Sequence, residues 1–142
     1  MKRLLILIPV IFCLMSFGIN FETTDNDLQT KAHASQKNIA IYFCGSDWCS
    51  LCNNFKKGFL SNSKVDSLLK NNYIYYIADF PQRKKLEKSI VAFNESLAEK
   101  LNPEGHFPKL VIVDEELKIK TVIFQSEEFN SAYSKLENNI KK

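Results

Sequence analysis

The stretch Gly45-Ser46-Asp47-Trp48-Cys49-Ser50-Leu51-Cys52 decides how this chain is read. It follows an apolar run, Ile39-Ala40-Ile41-Tyr42-Phe43-Cys44, that predicts a buried strand. After it, Asn53-Asn54-Phe55-Lys56-Lys57 reads as the body of a helix. A strand, a tight turn and a Cys-x-x-Cys pair at a helix start suit thiol–disulfide chemistry. The reason is electrostatic. The first backbone N–H groups of a helix are unpaired, and the helix dipole adds partial positive charge there. A thiolate at Cys49 is favoured by that field, and only the thiolate attacks disulfides. Cys52 lies one turn further on and can close on Cys49 to release a bound substrate. Cys49 is therefore assigned as nucleophile and Cys52 as resolving thiol, with Trp48 beside them as an apolar surface for an incoming chain.

Trp48-Cys49-Ser50-Leu51-Cys52 resembles the Trp-Cys-x-x-Cys motif of the thioredoxin superfamily. Gly45-Ser46-Asp47 and the later Asp79-Phe80-Pro81 are similar to a branch of exported bacterial thioredoxin-like proteins, and the likeness runs from about Ile39 to the C-terminus. The resemblance implies an α/β fold, a thioredoxin-like three-layer α/β/α sandwich whose mixed sheet ends in an antiparallel hairpin and a final helix. It implies a thiol–disulfide oxidoreductase acting on protein thiols and disulfides, with no cofactor beyond the redox-active Cys49–Cys52 pair. In His106-Phe107-Pro108-Lys109, Pro108 heads a strand after a long helix. The superfamily carries a cis-proline in that place, facing the cysteines. A cis bond there would expose the backbone of Phe107 to pair with an extended substrate.

Three departures from the family pattern bear on direction. The buried Asp that many thioredoxins carry in the strand before the motif is replaced by Phe43 and Cys44, leaving Lys57, Asp47 or water as proton routes. The dipeptide Ser50-Leu51 has neither the Pro of reducing thioredoxins nor the His of strong oxidants. Without an imidazolium there, Cys49 lacks the strongest thiolate stabilisation, which points to a reductase or isomerase supplied with electrons by a membrane or exported donor. His106 and Lys109 stand where small or hydroxyl residues are common, and either cation near Cys49 would lower its pKa.

Length and composition set the frame. The chain has 142 residues and a formal net charge of +3, enough for one domain and too little concentrated charge for a nucleic-acid partner. Lys2-Arg3 precede an apolar run from Leu4 to Phe17, followed by polar Asn20 to Asp27. This is the pattern of a secretory signal peptide, with cleavage expected after Gly18, and it predicts an exported, periplasmic protein. At about 14 residues the run is short for the roughly 20 that a membrane span needs. Cys13 lies within it, and a lipoprotein signal would want a small residue where Phe12 stands. Removal of Cys13 leaves Cys44, Cys49 and Cys52, which fits one redox pair plus one buried thiol.

Residues 19–37 read as a linker with a short first helix, and 38–142 as the thioredoxin-like domain. Leu51, Phe55 and Phe59 recur every four residues and predict a helix from Cys49 to Phe59. A second helical piece is expected over Val65–Lys70, and a strand over Tyr73–Ala78. Arg83-Lys84-Lys85 reads as a solvated loop. Leu86–Leu101 has apolar residues at three-and-four spacing, a long amphipathic helix. Lys109–Asp114 and Ile119–Phe124 form a hairpin, and a last helix covers Glu127–Ile140. Nothing resembles a dimerisation segment, so a monomer is expected.

Two other classes compete. Cys44, Cys49, Cys52 and His106 supply four ligands that on paper suit zinc or copper. Against a metal site, Cys44 belongs to a buried strand and no second Cys-x-x-Cys completes a zinc ribbon. A binding module without turnover would be free to lose either cysteine of the pair, and this chain keeps both.

Overall fold

The computed structural model describes residues 25–141. The expected signal peptide at 1–18, Cys13 within it, and positions 19–24 of the expected linker lie outside the described residues. Among the described residues no helix is long and apolar enough to cross a membrane. The elements run α1 (Asp25–Ser35), β1 (Asn38–Cys44), α2 (Ser50–Phe55), α3 (Ser63–Asn72), β2 (Tyr73–Asp79), α4 (Lys88–Leu101), β3 (Lys109–Val113), β4 (Ile119–Phe124) and α5 (Phe129–Asn138). One four-stranded sheet has the order β2-β1-β3-β4. β1 pairs parallel to β2 and antiparallel to β3, and β3 pairs antiparallel to β4.

Every residue of β1 is buried, which explains a run without polar alternation: both faces of this central strand are covered. Ile39, Ile41 and Phe43 face one side with Leu28 and Ala32 of α1 and Phe93, Leu97 and Leu101 of α4. Ala40, Tyr42 and Cys44 face the other, with Phe55 of α2, Leu69 of α3 and Leu136 of α5. Two helical layers thus sandwich one mixed sheet, the α/β/α arrangement expected from the resemblance. Burying each large aliphatic or aromatic side chain contributes about 1.5–3 kcal/mol, so the strand with two covered faces anchors the domain.

The helix after the cysteines departs from the expected one. It is α-helical only from Ser50 to Phe55, and continues as a π-helical turn over Lys56–Leu60. Its widened turn is closed by the Ser61 N–H donating to the Lys56 carbonyl at 2.8 Å. The buried stripe is Cys52, Phe55, Phe59 and Leu60; Leu51 is 50 % exposed and lies off it. Four-residue spacing picked out Leu51, Phe55 and Phe59. The extra residue of the π turn instead lets adjacent Phe59 and Leu60 both reach the core. Phe55 and Phe59 stack at 5.2 Å between ring centroids. The next helix starts early, at Ser63, because the Asn62 side chain caps it by accepting from the Lys64 N–H at 3.0 Å.

Candidate functional site

β1 and β2 run parallel in a register that sets Cys44 opposite Asp79, so both strands end at one edge of the sheet. Ligand and reaction sites of open α/β sheets gather beyond such carboxyl ends. The chain leaves β1 at Gly45, whose carbonyl accepts from the Trp48 N–H at 3.3 Å and the Cys49 N–H at 2.9 Å. Those two hydrogen bonds close the loop tightly and deliver Cys49 to the N-cap of α2, in extended conformation. The Cys49 Sγ accepts from the Cys52 N–H at 3.1 Å. The sulfur therefore takes the place of a capping oxygen, where unpaired N–H groups and the dipole stabilise negative charge.

Cys49 and Cys52 are joined in a disulfide, their Cα atoms 5.3 Å apart. Both are buried, Cys49 at 6 % exposure and Cys52 at 2 %. Cys52 is held from below: the Tyr42 hydroxyl donates to the Cys52 carbonyl at 2.9 Å, tying the first turn of α2 to the central strand. This bond spans two layers of the fold and fixes the depth of the cysteine pair against the sheet.

The walls of the site are aromatic. Trp48 is 41 % exposed, and its indole Nε1–H donates to the Phe80 carbonyl at 2.7 Å. Phe107 meets Trp48 edge-on at 5.8 Å and Phe80 at 5.5 Å, so three rings form one cluster at the mouth. The Phe107–Pro108 peptide is cis. Gly45 has a packing reason that only glycine satisfies. A Cβ on it would come within 2.2 Å of the Trp48 indole. Gly45→Ala is therefore expected to push the indole off Phe107 and break its bond to Phe80, at a cost of about 1–3 kcal/mol from overpacking. Trp48 is the chain's one tryptophan, so its fluorescence reports the shift directly. An unchanged emission maximum and unchanged melting would contradict the close fit.

The charged residues singled out from sequence are placed differently from one another. Asp47 accepts from the backbone N–H groups of Gln82, Arg83 and Lys84 at 2.9, 2.8 and 3.1 Å. Those bonds, led by the Gln82 N–H, hold its carboxyl below the usual range. Asp47 thus pins the cysteine loop to segment 82–84. Lys109 is buried, and its Nζ donates to the Leu101 carbonyl at 3.0 Å and to Glu104 at 3.5 Å. It caps the C-terminal end of α4, where a cation is favoured by the dipole. His106 is braced by Asn102 through both backbone groups, and its ring meets Phe124 edge-on at 6.0 Å.

Sequence reasoning missed the cluster around Asp79. Its carboxylate accepts from the Ser46 N–H at 2.8 Å, the Ser46 hydroxyl at 2.7 Å and the Lys84 Nζ at 3.0 Å. Burial pushes this carboxyl up, but the Ser46 and Lys84 bonds outweigh it and the net shift is downward. Lys84 is therefore engaged at its backbone by Asp47 and at its side chain by Asp79, while Arg83, Lys84 and Lys85 all stay exposed in the loop before α4, as expected. The only signal in the sequence was an acidic residue ending an apolar strand. Below it lies Cys44, the remaining free cysteine of the described residues, whose Sγ stands 3.8 Å from the Asp79 Oδ1. Among the described residues no three His, Cys, Asp or Glu side chains come together as a metal site. The set Cys44, Cys49, Cys52 and His106 is not assembled.

Residues 21–115 match the model of a family described as thioredoxin-like. The chain is 31 % identical over 88 residues to the disulfide bond reductase DsbH of Chlamydia pneumoniae, an alignment covering 61 % of this chain and 52 % of that protein. The chain thus spans about half the length of this curated relative. Among solved structures, a DsbH oxidoreductase superposes with a TM-score of 0.73 at 24 % identity, over 83 % of this chain and 82 % of that one. A thioredoxin from Thermus thermophilus gives 0.58 at 17 % identity, over 81 % and 82 %. The C-terminal domain of Neisseria meningitidis DsbD in its oxidised form gives 0.57 at 15 %, over 80 % and 90 %. At those identities the superpositions speak for the fold.

Proposed function

The chain belongs to the thioredoxin-like family, and from that premise we propose that it is a thiol–disulfide oxidoreductase that reduces protein disulfides outside the cytoplasm. The observation that carries the reading is the Cys49 sulfur at the cap of α2, accepting the Cys52 N–H at 3.1 Å with its resolving partner one turn away. In the reduced protein the Cys49 thiolate attacks one sulfur of a substrate disulfide. A Cys49–substrate bond forms, and the other substrate sulfur leaves as thiolate. Cys52 then attacks the Cys49 sulfur, forming the Cys49–Cys52 bond and expelling the second substrate thiolate. The substrate has gained two electrons and the protein has lost them. An exported or membrane donor must restore the dithiol.

The surroundings fit these steps. Trp48, Phe80 and Phe107 offer apolar contact to the chain bearing the disulfide, and the backbone beside Pro108 offers extended pairing. Cys52, buried and fixed by Tyr42, is out of reach of a bulky substrate and suited to the second step. The reductase direction rests on Ser50-Leu51, which places no imidazolium beside Cys49, and accords with the likeness to the Chlamydia disulfide bond reductase. Export rests on the Lys2-Arg3 and Leu4–Phe17 pattern.

The test is a reduction potential, read by equilibrating the protein in graded thiol/disulfide buffers and trapping free thiols. A value near the roughly −270 mV of thioredoxin is expected. A value near the roughly −120 mV of the strong periplasmic oxidant would reverse the direction. Failure of Cys49 and Cys52 to pair at any poise would end the oxidoreductase reading.

A further inference from the structure

Cys44 and Cys52 line the same cavity, about 360 Å³ in volume, whose walls also include Tyr42, Lys56, Asp79 and Lys84. Both cysteines belong to one buried cluster. A third thiol beside a working disulfide is a hazard. Attack by a Cys44 thiolate on the Cys52 sulfur would form a Cys44–Cys52 bond and break Cys49–Cys52. Cys49 would be left as thiolate, and the Cys44 proton would have passed to solvent. No net oxidation is involved, so the step needs no external reagent, only a Cys44 thiolate.

We propose that Asp79, held at both carboxylate oxygens by Ser46, is a positioning residue that keeps Cys44 protonated and so confines disulfide exchange to Cys49 and Cys52. The Ser46 bonds fix the carboxylate with its Oδ1 3.8 Å from the Cys44 sulfur, where it accepts from the thiol. Ionising Cys44 would lose that donor and set a buried thiolate beside a second anion, which costs more than either alone. The other charged or titratable groups around the thiol are Lys56, Lys84, Tyr42, Tyr75 and, beyond Tyr75, Asp66. Burial pushes both phenols up, so they stay neutral over the working range. The two lysines favour the thiolate, but burial, then the charge and hydrogen bond of Asp79, prevail, and the Cys44 thiol is pushed up to about 12. Cys49 at its helix cap has the opposite environment. Burial, reinforced by one anion on a neighbouring strand, thus separates a silent cysteine from an active one.

The inference rests on the exchange reading only in taking Cys49–Cys52 as the bond to be preserved, and its test needs no activity. The oxidised full-length protein is alkylated with iodoacetamide from pH 6 to pH 10, and adducts and disulfides are located by peptide mass mapping. In the wild type, Cys44 should react slowly, its rate still rising at the top of the range. Asp79→Asn should raise the Cys44 rate at pH 8 about tenfold, the effect of one pKa unit on the thiolate fraction. It should also yield a Cys44–Cys52 bridge that is missing from Asp79→Asn/Cys44→Ser. Lys84→Met removes a cation facing the same thiol and should slow the reaction by about threefold, half a pKa unit. A merely structural role predicts faster labelling in both variants, since both remove the Asp79–Lys84 bond. Equal rates for wild type and Asp79→Asn, or faster labelling in Lys84→Met, would overturn the proposal. The Lys84→Met arm decides the matter even should Asp79→Asn fail to fold. A wrong assignment of activity would instead show in the reduction potential, leaving these rates untouched.

Discussion

Cys52→Ser is expected to accumulate mixed disulfides with protein substrates, and Cys49→Ser to accumulate none. The asymmetry follows from position. Cys49 caps α2, where its sulfur accepts an N–H and the helix field favours thiolate. Cys52 is deeper, at 2 % exposure, with its carbonyl tied to Tyr42. With serine at 52 the first bond to substrate forms and nothing resolves it. With serine at 49 the remaining thiol is the one buried in the core beneath α2. Turnover on a disulfide-bonded protein should fall in both variants to the rate of uncatalysed exchange. Non-reducing electrophoresis after acid quenching separates the two, because only Cys52→Ser carries adducts that collapse on reduction. Equal adduct levels would remove the division of roles, and adducts confined to Cys49→Ser would reverse it.

Much of the fold was legible because its main signals are local. An unbroken apolar strand, a Cys-x-x-Cys at a helix start and amphipathic repeats in α4 and α5 each follow from a short-range rule. The resemblance then supplied the layer order that element order alone does not single out. What stayed hidden depends on side chains meeting across the chain. Ser46 and Asp79 are 33 positions apart and Asp47 and Gln82 are 35, yet both pairs bond where β1 and β2 end together. A two-strand register brings them there, and no period in the sequence encodes it. The π turn was invisible for a related reason. A four-residue spacing of Leu51, Phe55 and Phe59 imitates a regular helix, while the demand that Phe59 and Leu60 both pack inward is tertiary. Lys109 looked like a cation for the site because it follows Pro108. The unpaired carbonyl of Leu101 claims it instead.

Tyr42 supports the turn that carries the redox pair, and two substitutions separate the contribution of its ring from that of its hydroxyl. Tyr42 is fully buried in the central strand, with its ring 5.8 Å from that of Phe55. Tyr42→Ala removes the ring and opens a cavity between β1 and α2, which should cost about 3–5 kcal/mol. Against a total stability of about 5–15 kcal/mol, that is enough to bring the domain close to unfolding. Tyr42→Phe keeps the ring and removes only the hydroxyl. The Cys52 carbonyl keeps the Lys56 N–H as donor and loses only the hydroxyl, at about 0.5–1.5 kcal/mol. Urea unfolding of the oxidised protein measures both losses. The same bond sets the depth of Cys52, and α2 needs it whether or not the disulfide is closed. The Tyr42→Phe loss should therefore be nearly equal in the oxidised and reduced forms. A loss confined to the oxidised form would mean that the hydroxyl steadies α2 only once the disulfide has formed, and Tyr42→Phe would then also move the reduction potential, because the potential is the difference between the two forms.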